Sequence, residues 1–380
     1  MRVLMISKTA IGAAYRRKLA PLVQQGVELM VVVPPYWRDD AGLRVLLERS
    51  ADTGLTLAVE PMALNGHFHV HFYPLLSRRL RQFRPHLVHV DEEPYNFATL
   101  HAFVLAHRVG AQTLFFTWQN IAKRYPPPFS WMERYCYRRA AGAIAGNADA
   151  ARVLQGKGYA GPLWTIPHYS VGLDPAVFYR RATPTEPQRP FTVGWFSGRL
   201  REFKGVHLLL QAVAALQDDT RVEIAGWGPE ATRLQALAAQ LGLEGRFQIH
   251  GRIASDQIPA FASRLDVAVM PSLSTPQWKE QFGRMLVEAM ACEVPVVGSD
   301  SGEIPHVIGD AGLIFPEGDV QALAGCLRRL RDDPGLRREL AARGLTRVRS
   351  RYTQDQIAAQ TVAVYRQILG WGQGSGPADP

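Results

Sequence analysis

Cysteine is scarce in this chain. Cys136, Cys292 and Cys326 are the only three in 380 residues, with no Cys-x-x-Cys pair, which excludes a disulfide framework and a cysteine-based zinc site. The expected compartment is therefore the reducing cytosol. Long apolar runs are also missing, and none approaches the roughly 20 residues of a membrane span. The opening Met1-Arg2-Val3-Leu4-Met5-Ile6 is apolar but gives way at once to Ser7, Lys8 and Thr9. It reads as a first strand and not as a signal peptide. No heptad array, internal repeat or nucleic-acid-binding signature is present, so nucleic acid is not an expected partner.

What is present is an ordinary globular composition, 47% hydrophobic and 20% charged, on a chain long enough for two domains. The net charge of +9 is unevenly spread. Residues 1–175 hold 20 Lys+Arg against 12 Asp+Glu, and residues 176–380 hold 23 against 22. The basic excess lies in the first half, at Arg16-Arg17-Lys18, at Arg78, Arg79, Arg81 and Arg84, and at Arg134, Arg138 and Arg139. It fits a solvated positive surface, an anionic acceptor or an anionic membrane surface.

Short apolar runs alternate with amphipathic stretches. Arg2–Ile6, Glu28–Val33, His86–Val90, Thr113–Phe116 and Ala143–Ala145 read as buried strands. Ala13–Gln24, Asn96–Val109, Phe129–Arg139 and Ala148–Gln155 read as helices between them, and Leu55–Tyr73 as a further pair of strands. The pattern restarts after the Pro-rich stretch Thr183–Pro190. Strands are then expected at Thr192–Phe196, Val222–Ala225, Phe247–His250, Val267–Met270 and Val294–Gly298. Their helices are expected at Val206–Ala214, Glu230–Leu241, Ser255–Ala262 and Arg284–Ala291. Such alternation implies doubly wound parallel sheets: an α/β chain of two Rossmann-like domains. The expected boundaries are residues 1–175 and 176–353, with a helix at about 354–369 packing back on the first domain and a flexible tail over 370–380. In open α/β sheets ligands bind beyond the carboxyl ends of strands, so the sites are expected in a cleft that the two domains face. The run His67-Phe68-His69-Val70-His71 alternates like an exposed strand face, with no nearby carboxylate in sequence to complete a metal site.

One segment is more informative than the rest: Glu280-Gln281-Phe282-Gly283-Arg284-Met285-Leu286-Val287-Glu288. Eight helical residues advance about 12 Å, too far for two carboxylates to share one metal or one proton. They suit the two ends of an elongated polar ligand. The Phe282-Gly283 step opens a helix, where backbone N–H groups receive anions. Gly198-Arg199-Leu200 and Lys204-Gly205 follow the strand Thr192–Phe196 and form a second phosphate-binding arrangement. Arg199 offers a planar fork and Lys204 a mobile point charge. It lacks the residue order of a Walker loop.

In this order the motifs resemble a family 4 glycosyltransferase, a retaining transferase of the GT-B fold. The resemblance also rests on Gly226-Trp227-Gly228-Pro229, Gly251-Arg252-Ile253, Met270-Pro271-Ser272 and Gly302-Glu303-Ile304-Pro305. It places Arg199 and Lys204 after the first strand of the second domain, and Glu280 and Glu288 after its fifth. It implies roles. Arg199 and Lys204, with Gly198, would bind the donor diphosphate and Glu280 the donor sugar. Gln281, Phe282 and Gly283 would line sugar and phosphate through backbone, Glu288 would hold the ribose, and Gly251, Arg252 and Ile253 the base. Catalysis would rest on Glu280, Lys204 and Arg199. The donor substrate would be a UDP- or GDP-sugar, with no cofactor and no metal. The acceptor would be a glycan or lipid-linked glycan, held near Gly12, Asp91, Glu93 and Gln119.

Three departures stand out. The loop Ser7–Gly12 has one glycine where the family often has a pair. Gln119 takes the place of a common histidine, and its neutral amide cannot act as a base. Glu293 sits where glycine is common. The missing histidine keeps open a non-catalytic nucleotide-sugar-binding subunit of a glycan assembly complex. The aromatic stretch Tyr125–Met132, beside Arg134, Arg138 and Arg139, fits either a docking patch on the inner face of a membrane or a buried packing cluster.

Overall fold

The computed structural model describes residues 1–39, 42–49, 54–182 and 189–371. Most of the Pro-rich linker (183–188) and most of the expected tail (372–380) lie outside these residues. The chain forms two compact units, Leu173–Thr353 and a second that joins Met1–Gly172 to the segment starting at Gln354.

The N-terminal unit is built on β1 (Arg2–Ile6), β2 (Glu28–Val33), β3 (Tyr36–Arg38), β4 (Arg44–Leu46), β5 (Thr56–Val59), β6 (Leu87–Val90), β7 (Gln112–Thr117), β8 (Gly142–Ala145) and β9 (Leu163–Thr165). Seven of these form a parallel sheet in the order β5-β2-β1-β6-β7-β8-β9, and β3 and β4 make a small antiparallel ribbon. β1 shows why its run Val3-Leu4-Met5-Ile6 must be apolar. Successive side chains point to opposite faces, and both faces are covered. Val3 and Met5 enter a core with Leu19, Leu22, Ile357, Val362 and Tyr365, whereas Leu4 and Ile6 enter one with Leu76, Leu80, Phe103 and Phe115. The helix Gln354–Ile368 thus completes one face of this sheet.

The other unit contains β10 (Thr192–Arg199), β11 (Arg221–Trp227), β12 (Phe247–Ile249), β13 (Val267–Met270), β14 (Val296–Ser299) and β15 (Gly312–Phe315). They form a parallel sheet in the order β12-β11-β10-β13-β14-β15. In each sheet the winding direction reverses once, between β1 and β6 and between β10 and β13. The loops leaving those strands are where ligands of such sheets bind.

Several expectations need correction. Ala13–Gln24 is two short helices, Ala13–Arg17 and Ala20–Gln24. Pro21 lacks an N–H for the Arg17 carbonyl, so the first helix cannot continue through it, and the chain restarts with Pro21 in the first turn of the second. Leu55–Tyr73 holds one strand, β5, and a single bridge, Ala63 to Phe72. The His67–His71 run is a turn, closed by the Val70 and His71 N–H groups on the His67 carbonyl. Its His71 is fully buried, and a carboxylate is near after all: Glu92 lies 3.4 Å from Nε2. Glu280 and Glu288 follow the fourth strand of their sheet, β13, and not its fifth. The helices Leu76–Phe83, Ile304–Ile308, Val320–Asp332 and Pro334–Arg351 and the strands β3, β4, β9 and β15 were not anticipated.

Candidate active site

In the C-terminal unit glycines fit the loop after β13 against the loop after β10 and against the loop after β14. Gly205 has φ +70°, and a Cβ there would lie 1.7 Å from the Pro271 carbonyl oxygen. Leu273 N–H donates to the Phe203 carbonyl at 2.7 Å, tying the loop after β10 to the loop after β13. Gly302 has φ +56°, and its Cβ would fall 2.2 Å from the Glu280 carbonyl. Only glycine satisfies both the conformation and the space at these positions.

This fit brings Lys204 and Glu280 together although 76 residues separate them. Lys204 Nζ donates to Glu280 Oε2 at 2.8 Å, and Ser272 Oγ donates to the same oxygen at 3.3 Å. Both side chains are largely buried, with 15% and 11% of their surface exposed. Trp278 forms one wall: its ring lies 4.5 Å from Lys204 Nζ and 4.2 Å from the Phe203 ring. Arg199 ends β10 and is exposed, with no ion pair among the described residues. Gly198, at φ +81°, marks a register shift in β10 that turns the strand end outward.

Phe282 is buried and packs edge-on against Tyr352 at 5.6 Å, so its ring anchors the loop and leaves only its backbone for a ligand. Gly283, at φ +83°, caps the helix Arg284–Ala291, and Gln281 beside it is exposed. Glu288 is buried one turn into that helix and pairs with Arg284 at 2.7 Å. Gly251, at φ +70°, follows β12, and the Arg252 guanidinium next to it lies 5.0 Å above the Trp227 ring. Ile253 continues that loop, half-buried.

The N-terminal unit carries a second polar cluster at the carboxyl ends of β1, β6 and β7. Asp91 accepts from Ser7 Oγ at 2.5 Å and from His168 Nε2 at 2.7 Å. Burial alone would raise its pKa, but His168 and these hydrogen bonds hold it below the usual range. Glu92 behaves likewise, with Lys8 at 2.5 Å and His71 overcoming its burial. Glu93 shows the reverse balance. Burial dominates the hydrogen bonds from Thr117 Oγ1 at 2.6 Å and the Trp118 N–H at 2.8 Å, and its carboxyl is pushed up to about 7. Gln119 follows β7 and accepts from Lys157 Nζ at 3.1 Å. Gly12 caps the helix Ala13–Arg17 at φ −79°, an ordinary conformation that makes no use of glycine's freedom. Among the described residues no three His, Cys, Asp or Glu side chains are grouped to hold a metal ion.

Comparison with known sequences supplies the context for this geometry. The family profile described as Glycosyl transferases group 1 matches residues 182–347, and that of Glycosyltransferase Family 4 matches residues 19–169. The chain belongs to the group 1 glycosyltransferases. It is 31% identical over 261 residues to 2-deoxystreptamine glucosyltransferase from Streptomyces kanamyceticus, covering 64% of this chain and 65% of that protein. It is 34% identical over 176 residues to MMP alpha-(1->4)-mannosyltransferase from Mycolicibacterium hassiacum, covering 44% and 40%. The matches thus span less than two thirds of each relative. Among solved structures, a glycosyltransferase from Rickettsia africae superimposes with a TM-score of 0.75 at 16% identity, covering 97% of this chain and 98% of that one. Sucrose-phosphate synthase from Thermosynechococcus elongatus gives 0.72 at 19%, covering 98% and 100%. The fold is GT-B.

Sequence reasoning missed Trp278 and the glycine fit. Trp278 stands next to Lys279 and Glu280 in a polar turn, which is an unusual place for an aromatic and was the available signal. The departure at Glu293 now has a physical explanation. Glu293 N–H bonds to the Met290 carbonyl and Val294 N–H to the Ala289 carbonyl, the pattern that closes a helix through a left-handed residue. Glu293 is that residue, at φ +54°, which is why glycine suits the position.

Proposed function

We propose that this chain transfers a sugar from a nucleoside diphosphate sugar, UDP- or GDP-linked, to an acceptor hydroxyl with retention of anomeric configuration. The observation that carries the reading is the buried Lys204–Glu280 pair, held between two interlocked loops at the switch point of a parallel sheet. A lysine paired only with glutamate has offset its charge. A donor bound beside it would give the cation a diphosphate to stabilise and leave the carboxylate to accept from sugar hydroxyls. Arg199, exposed at the end of β10, adds a forked donor for phosphate oxygens. These two cations would stabilise the charge that develops on the departing diphosphate without a metal ion. Glu288, oriented by Arg284, suits the paired hydroxyls of a ribose. The loop Gly251-Arg252-Ile253, backed by Trp227, suits the base.

In the reaction, the bond from the anomeric carbon to the phosphate oxygen breaks. The acceptor oxygen bonds to the same face of that carbon, and the acceptor proton passes to the leaving phosphate. Gln119, a neutral amide, only positions substrate in this scheme. Asp91 and Glu93 serve the acceptor side, whose occupant is a glycan or lipid-linked glycan. Release of nucleotide from a panel of UDP- and GDP-sugars, with and without candidate acceptors, tests the reading. Nucleotide release that depends on Lys204 and Glu280 supports it, and no release from any donor contradicts it. We further propose contact with an anionic membrane surface on the inner face, supported by Trp131, which is 62% exposed beside Arg134 and Arg138.

A further inference from the structure

Lys157 is remote in sequence from every motif above, on the residue after the helix Ala148–Gly156. Its ammonium is nonetheless the centre of a buried group. It pairs with Glu133 from the helix Phe129–Arg139, donates to Gln119 Oε1 at 3.1 Å, and lies 5.7 and 5.1 Å from the Tyr95 and Tyr125 rings. Those rings stack on each other at 4.1 Å. The side chains of Lys157 and Glu133 are only 14% and 8% exposed.

An ammonium has three donors and no acceptor. The atom of Gln119 facing it must therefore be the carbonyl oxygen, which settles the amide orientation. The opposite end, Nε2, is buried and has no hydrogen-bond partner among the described residues. A buried N–H left unmade is costly, and such groups are otherwise almost always satisfied. Gln119 lies two residues past the carboxyl end of β7, next to Trp118, whose N–H donates to Glu93 at 2.8 Å, and ligands of open parallel sheets bind beyond such strand ends.

We propose that Lys157 is a positioning residue that locks the Gln119 amide with its NH₂ group toward the substrate, where it donates to a hydroxyl or phosphate oxygen. Glu133 holds the ammonium in place, and the Tyr95–Tyr125 stack shields it from water. Gln119 is thus a fixed donor selecting an accepting oxygen, not a substitute base. This role rests on the glycosyltransferase reading above.

Two measurements on the full-length chain separate the two claims. The first is the Gln119 side-chain amide signal in protein labelled with 15N-glutamine, assigned by its loss in Gln119→Glu. A single sharp NH₂ pair that broadens or splits in Lys157→Met is expected, and an unchanged pair overturns the lock whether or not the chain turns over any donor. The second is kcat/KM for the best donor among UDP-glucose, UDP-N-acetylglucosamine, GDP-mannose and GDP-fucose. Gln119→Glu keeps the shape and the Lys157 partner but removes the donor, and should lose about tenfold at unchanged Tm. Lys157→Met should lose a similar factor, Lys157→Arg should regain most of it, and Lys157→Met in the Gln119→Glu background should cost little more, because one residue acts through the other. Undiminished turnover by Gln119→Glu, or fully additive losses, overturns the substrate role. A wild-type chain inactive on all four donors contradicts the substrate role and the proposed function together, and leaves the amide signal to decide the lock alone.

Discussion

Single residues carry the sharpest consequences of this structure. Glu293 occupies a left-handed position that costs an L-residue about 1–2 kcal/mol, while glycine there would gain about 0.5–1 kcal/mol less than that relief through its looser unfolded chain. Glu293→Gly should therefore stabilise by about 0.5–1 kcal/mol, raising Tm by roughly 2 °C in calorimetry. The bond from Arg180 to the residue 293 carbonyl does not use the side chain and survives. Glu93 gives a pH signature. Its carboxyl titrates near 7 in the folded chain against 4.5 for the ordinary group. The folded state therefore binds the extra proton between those values, and stability from this group falls as pH rises from about 4.5 to 7. Glu93→Gln, which cannot ionise, should flatten that decline. Tm measured from pH 5 to 7.5 checks it, and equal slopes in variant and wild type contradict it. His89, lowered to about 4 chiefly by burial, works in the opposite sense: its contribution is lost as pH falls from 6.5 toward 4.

At the scale of elements, the sequence was most legible where one physical rule acts alone. Parallel strands covered on both faces are apolar along their buried length, so β1 and β2, each opened by one charged residue, and β13 could be bounded to the residue. The helices Phe129–Arg139, Val206–Ala214 and Arg284–Ala291 were equally plain from their spacing. Legibility failed where rules compete. Alternation at His67–His71 mimics a strand, but Asn65-Gly66 turns the chain first, with Gly66 at φ +93°. The loops after β10 and β13 were legible as motifs, but their fit was not, because a contact between Gly205 and Pro271 leaves no period in the sequence. That fit is testable. Gly205→Ala would place a methyl against a backbone oxygen in a left-handed conformation, and should cost about 1–3 kcal/mol or more. It should also displace Lys204 and lower turnover further than the lost stability explains. Unchanged stability and turnover would show that the two loops do not depend on each other.

For the whole molecule, the basic excess of the N-terminal half and the return of the last helix to that unit are the features that matter. Ile357, Val362 and Tyr365 enter the first core, so cutting the chain before Gln354 removes core and not a tail. Exposed Trp131 near Arg134 and Arg138 predicts binding to vesicles containing phosphatidylglycerol at low salt. Trp131→Ser should weaken that binding, and the failure of the wild-type chain to sediment with such vesicles removes the membrane reading. No helix among the described residues is long and apolar enough to cross a bilayer. The central claim is narrower than any of these: the Lys204–Glu280 pair is the reacting end of a sugar-nucleotide site. It is tested most directly by sugar transfer in Lys204→Ala, Glu280→Ala and the double variant, each shown by circular dichroism to be folded. Loss of transfer in both single variants is the predicted result. A folded double variant that transfers sugar as fast as the wild type would contradict it.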